Sequence, residues 1–284
     1  MEVVYVMGET WKRAFCIISV SAVFLFSMVR LLELNDSSLV RGGSAYVLEN
    51  KGELDTYIRG LSEYKNKKNL ATQIGIKFVC PANNYDQQSL RDYYNFRTGK
   101  NISFGICWAS AVLSAYRFKS PTPQIPYVYE GHEIIKNGID RYKLNPLSIT
   151  KGILHTSAVK ILNDQYNAHN IPAGCVAKNS GFADIFPMIQ ACTATGTISL
   201  FKIPGHEMTA CGYCTVRVQW KENNRIVTKF EDMALVNDTW RNITNMGVPL
   251  NNQIYSYYPE RAISNGWLSD NTMWNYALGI IYDK

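Results

Sequence analysis

The sequence predicts an α+β fold, with a helical first half followed by a mainly antiparallel sheet and a separate hydrophobic helix at the N-terminus. Three observations predict it. Apolar residues recur at steps of three and four through residues 53–68, 106–118, 148–167 and 182–195, the spacing of one helix face. From Thr197 onward the period changes to two, the spacing of half-buried strands. Residues 14–29 form an apolar run with no charge and no polar face, which sets them apart from an amphipathic surface helix.

That first run is flanked by Lys12, Arg13 and Arg30. It is shorter than the ~20 residues of a spanning helix and longer than the ~7–15 of a signal-peptide core. No small-x-small cleavage site follows closely, and Gly43-Ser44-Ala45 lies far downstream. Residues 1–13 therefore read as a short tail and 14–32 as an uncleaved signal-anchor, with a cleaved signal as the second reading. Either way the remainder is expected outside the membrane, anchored through this helix or secreted. Residues 33–74, with Gly42-Gly43, read as a linker or short propeptide ahead of a domain over 75–284. Within that stretch, Leu54, Ile58 and Leu61 mark a short amphipathic helix.

The next elements follow in order. "IGIKFVCPANN" reads as a strand stopped by Pro81, which cannot donate to a ladder. Ile106, Ala109, Val112, Leu113 and Tyr116 give a helix with a broad buried face, and Gly105 just precedes it. "SPTPQIP", residues 120–126, ends that helix and reads as a crossing to a second lobe. Helices over 148–167 and 182–195 come next. "TISLFKI", "HEMTACGYCTVRVQW", "RIVTKF", "MALVND" and "YALGIIYD" read as strands, with "KENN" as a hairpin turn.

Charge excludes one class of partner. The net charge is +6, but Lys and Arg are scattered. The densest cluster, "KNKK" at 65–68, has no interleaved aromatics, so it reads as a solvated face and no nucleic acid is expected. No Cys/His grouping has zinc spacing and no glycine loop cradles a phosphate, so no metal or cofactor is expected. Of the seven cysteines, Cys16 lies in the hydrophobic run and Cys107 opens a helix. Cys80, Cys175, Cys192, Cys211 and Cys214 remain. An odd remainder is a poor disulfide framework, and these thiols read mostly as small buried apolar groups.

Cys107 is the chemical candidate. A thiol attacks only as thiolate, and a helix N-terminus with a nearby cation favours that form. Of the four histidines, only His206 opens a long strand, where a rigid scaffold can aim its ring at a helix end; His132, His155 and His169 read as surface or capping residues. A third group must orient the imidazole. "ALVNDTW" supplies Asn237 and Asp238 at a strand end, with Trp240 two residues beyond.

At these residues the sequence resembles the papain-like cysteine peptidases. "GICWAS" is similar to the family's Cys-Trp-Ala block, "GHEMTACGY" to its His-strand ending in Gly-Tyr, and "NDTW" to its Asn- or Asp-bearing strand end. The order matches as well, and the resemblance covers roughly residues 75–284. It implies a two-lobed fold, a helical lobe carrying Cys107 facing a sheet lobe carrying His206, with a peptide or protein substrate between them. It also implies Cys107 as nucleophile, His206 as base, and Asp238 as orienter with Asn237 the alternative. Trp240 would shield the imidazole, and Trp108 would lie with it against substrate. The Cys107 backbone N–H would be one oxyanion donor. Asn101 stands where the family usually has its second donor, a Gln, with Gln87 or Gln88 as alternatives. The same thiol chemistry would also serve a cell-wall amidase or a transglutaminase-like acyl transferase, and an inactive peptide-binding relative is the reading from another class.

Overall fold

The computed structural model describes residues 54, 58–59, 63–80, 82–102, 106–120, 125–142, 154–178, 181–203, 206–237, 256–264 and 277–284. All belong to one compact unit, Ala45–Lys284. The hydrophobic run over 14–32 lies outside the described residues. Among the described residues no helix is long and apolar enough to cross a membrane.

Among the described residues, seven strands form one antiparallel sheet. They are β1 (Ala71–Val79), β2 (Ala173–Lys178), β3 (Ser199–Ile203), β4 (His206–Glu222), β5 (Arg225–Asn237), β6 (Ser256–Pro259) and β7 (Ala277–Asp283). The order is β2-β7-β3-β4-β5-β6, and β1 pairs with β4 as well. Strand β4 is long enough to take two partners on one edge. Its first residues pair with β3, from Ile203 opposite His206 to Ser199 opposite Ala210. Its remainder pairs with β1, from Val79 opposite Gly212 to Ala71 opposite Gln219.

Helices cover both faces of the sheet. On one lie α1 (Gln87–Thr98), α2 (Cys107–Lys119), α3 (Tyr127–Lys136) and α4 (His155–Ala168), which share the larger core with Leu200, Val216, Val218 and Leu235. On the other, α5 (Phe182–Ala194) and α6 (Glu260–Ser264) pack on Phe201, Met208, Ala210, Val236 and Leu278. A π-helical turn, Asn137–Arg141, extends α3.

Three expectations change here. The proline-rich stretch does not lead to a second lobe, because α3 stays with α1 and α2. Tyr127 meets Tyr85, Tyr129 meets Tyr93, and Arg117 pairs with Glu130. The "RIVTKF" and "MALVND" segments are one continuous strand, β5. Glu231 and Asp232, which interrupt its apolar pattern, are half-buried and satisfied, Tyr64 Oη donating to the first and Thr215 to the second. Packing also reaches upstream of residue 75, since Leu54, Ile58, Tyr64 and Leu70 are buried in the larger core.

A bulge pins the register of β4. The β4–β5 ladder shifts between Ala210 and Gly212, leaving Cys211 as the extra residue that turns the following side chains to the opposite faces. Gly212 sits where β1 comes closest. A Cβ there would lie 2.2 Å from the Phe78 carbonyl oxygen and 3.0 Å from Val79 Cα. Both are backbone atoms in a paired strand. Gly212→Ala is expected to destabilise the fold by about 1–3 kcal/mol through overpacking, read as a lower urea midpoint.

Candidate active site

Cys107 is the first residue of α2, the helix expected over 106–118. Ile106 precedes it as N-cap with no side-chain cap bond. The Ile106 backbone N–H instead donates to Gln87 Oε1 at 3.1 Å. That bond brings the Gln87 amide, one of the two alternative oxyanion donors, to the start of the Cys107 helix. The other, Gln88, is exposed and donates to Asp92. Asn101 is exposed, and residues 103–105 between it and Ile106 lie outside the description.

Helix α2 is apolar nearly all round because both sides of it are covered. Cys107 to Tyr116 are all buried. Trp108 is packed in the larger core at 1% exposure, and its indole N–H meets no acceptor. Cys107 and Ala111, one turn apart, face the first residues of β4. The Glu207 backbone N–H donates to Cys107 Sγ at 3.5 Å, and Thr209 Oγ1 donates to the Ala111 carbonyl at 3.4 Å. The sulfur thus lies one peptide unit from His206, which begins the strand and is 2% exposed.

Alternation along β4 separates the neighbouring side chains. Glu207 and Thr209 belong to the face turned toward α2. His206 is opposite Ile203, which packs with Met208 and Ala210 in the second core. The bond to Cys107 comes from the strand backbone beside His206.

Asn237 ends β5 opposite Thr209 and is 1% exposed. Its Nδ2 donates to the Ala82 carbonyl at 2.8 Å, while its Oδ1 has no partner. That amide is committed to the segment after β1. Asp238 and Trp240 lie outside the described residues.

The site holds a pair absent from the sequence reading. His155 opens α4, but it is neither a surface residue nor a cap. Its Nδ1 lies 2.7 Å from Glu207 Oε1, with side-chain exposures of 5% and 2%. Burial pulls the imidazolium down, yet the Glu207 charge and hydrogen bond outweigh burial and hold it above the ordinary value. Glu207 Oε2 is buried and makes no further hydrogen bond, and the Leu278 backbone also supports the charged His155 ring. One signal was available: an acid inside the apolar strand "HEMTAC" must find a partner, because an unpaired buried charge is costly.

The six described cysteines are all free and buried. Burial pushes Cys80 up, Cys192 up to about 11 and Cys214 up to about 12, and it raises Cys175 and Cys211 further. Such thiols are inert packing groups. Among the described residues no cluster of His, Cys, Asp and Glu could hold a metal ion.

No family model and no curated protein matches the chain. Among solved structures the chain is similar to that of UfSP from C. elegans, at 13% identity and a TM-score of 0.40. The alignment covers 76% of this chain and 38% of that one, so the chain spans less than two-fifths of that protein's length.

Proposed function

We propose that the chain is a papain-like cysteine peptidase with Cys107 as nucleophile and His206 as general base. One observation carries this reading: the Glu207 N–H donates to Cys107 Sγ, setting a helix-N-terminal sulfur against the residue that follows His206. Catalytic hydrogen bonds are often loose before substrate binds, and His206 is the residue next to the N–H that meets the sulfur. His206 takes the thiol proton and the thiolate attacks the scissile carbonyl. The C–N bond breaks as the same proton passes to the leaving amine. Water then attacks the thioester, giving a proton to His206 and releasing the sulfur. Asp238 orients the imidazole, since the Asn237 amide is already bonded to Ala82, and Trp240 covers that contact. Gln87, bonded at the helix start, joins the Cys107 N–H as oxyanion donor in preference to Asn101. The 14–32 helix anchors the enzyme, with its catalytic domain outside.

The test is native-state labelling. An epoxide-type thiol inhibitor is expected to modify Cys107 and leave Cys80, Cys175, Cys192, Cys211 and Cys214 untouched, as read by mass spectrometry of the digested protein. Uniform resistance of all six cysteines, with no peptide hydrolysis, would favour a second reading. In that one, a cysteine only 4% exposed belongs to a peptide-binding relative without turnover.

A further inference from the structure

Glu207 meets Cys107 through its backbone and His155 through its side chain. No other described residue links the Cys107 sulfur to an ion pair. The pair also joins two elements far apart in the chain, since His155 starts α4 and Glu207 is the second residue of β4. A protonated imidazole in the first turn of a helix is disfavoured by the helix dipole, so the Glu207 carboxylate is what keeps that ring charged and in place. Reciprocally, the ring holds the carboxylate, and with it the peptide unit whose N–H faces the sulfur.

We infer that His155 and Glu207 are positioning residues of the proposed peptidase site, clamping the start of β4 to α4 so that the Glu207 N–H stays aimed at the Cys107 sulfur. The inference rests on the reading of Cys107 as a nucleophile. A hydrogen bond to the charged form of a group favours that form, so a fixed N–H at this place stabilises the thiolate. Neither side chain touches substrate. Each acts through the strand it holds.

Among the described residues, these charged and titratable groups face the pair. Lys202 on β3 opposes the imidazolium. Cys175 on β2 is raised by burial first and by Glu207 second. Cys107 comes from α2, and His206 precedes Glu207 on β4. The ion pair itself sums to no net charge. A neutral hydrogen-bonded pair in its place therefore alters the clamp's charges without altering the net charge of the site.

That equality supplies the experiment. The pH profile of Cys107 alkylation by iodoacetamide and kcat/KM for a fluorogenic peptide are compared in three full-length proteins. These are the natural sequence, Glu207→Gln and the double variant His155→Leu/Glu207→Leu. Glu207→Gln keeps an acceptor for His155 but loses the charge that holds the ring, and is expected to lower kcat/KM about threefold, with a smaller shift of the profile than the double variant shows. The double variant removes the clamp without burying an unpaired charge, which commonly preserves folding. Its profile is expected to move to higher pH, with about tenfold slower alkylation at pH 6, the scale of one hydrogen bond to a charged group. Its kcat should fall while KM stays unchanged. A folded double variant with the natural alkylation profile would overturn the inference, as would Glu207→Gln losing as much as the double variant. Should the double variant not fold, Glu207→Gln decides alone: a partial shift of the profile to higher pH supports the clamp and an unchanged profile refutes it. If the natural protein shows no selective Cys107 labelling, the peptidase reading fails first, and that outcome is distinct from these.

Discussion

Cys107→Ala is expected to lower kcat/KM for peptide hydrolysis by about 10⁴-fold or more, the scale at which removal of a nucleophile ends covalent catalysis. The protein should stay folded. The substitution removes one sulfur from a helix start whose other anchors persist, namely the Ile106 bond to Gln87 and the Thr209 bond to Ala111. Circular dichroism and the thermal midpoint check the fold, and hydrolysis of a fluorogenic peptide checks the chemistry. Cys107→Ser should be nearly as inactive, because a hydroxyl in place of the thiol is a far weaker nucleophile at neutral pH. Turnover surviving in the alanine variant would place the chemistry elsewhere.

Glu207→Ala should have the largest effect on stability. It leaves His155 buried with only the Leu278 backbone to meet, and breaking a buried pair by removing one partner costs about 3–5 kcal/mol. For a domain of this size that corresponds to a fall of roughly 6–20 °C in thermal midpoint. The same pair makes stability depend on pH, with a definite sign. The folded-state value of His155 is raised, by Glu207 against burial. Its contribution is therefore complete below the unfolded imidazole value of about 6.5 and is lost as pH rises through the raised folded value. The urea midpoint of the natural protein should fall across that window. Glu207→Ala should flatten the dependence, and an unchanged slope would show that His155 is not the titrating group.

The parts legible in the sequence are those set by short-range spacing. Ile106, Ala109, Leu113 and Tyr116 mark α2 to within a residue of its observed bounds, and the switch to period two marks β3, β4 and β7. The Asn223-Asn224 turn was legible too, both residues adopting positive φ, as a tight hairpin turn demands. Long-range pairing was not legible. Glu207 and His155 are 52 residues apart, and nothing local says that the helix after residue 154 will set its first side chain beside β4. The phase of β4 was equally hidden, because the bulge at Cys211 reverses which side chains face α2 and a strict alternation cannot reveal a reversal. Charges within β5 looked like a break because burial on one face only is invisible in a single strand.

The two ends of β4 differ in how freely evolution or a protein engineer can edit them. Adding or deleting one residue near its start would turn the Glu207 side chain off the face that meets α4, parting it from His155 and disturbing the N–H that faces the Cys107 sulfur. At the opposite end the hairpin is solvent-facing, with Ile226 at 75% exposure beside the turn, and lengthening it leaves every pairing upstream intact. The distal loop is therefore the place for an epitope or affinity graft, whereas the proximal end admits substitutions but no change of length.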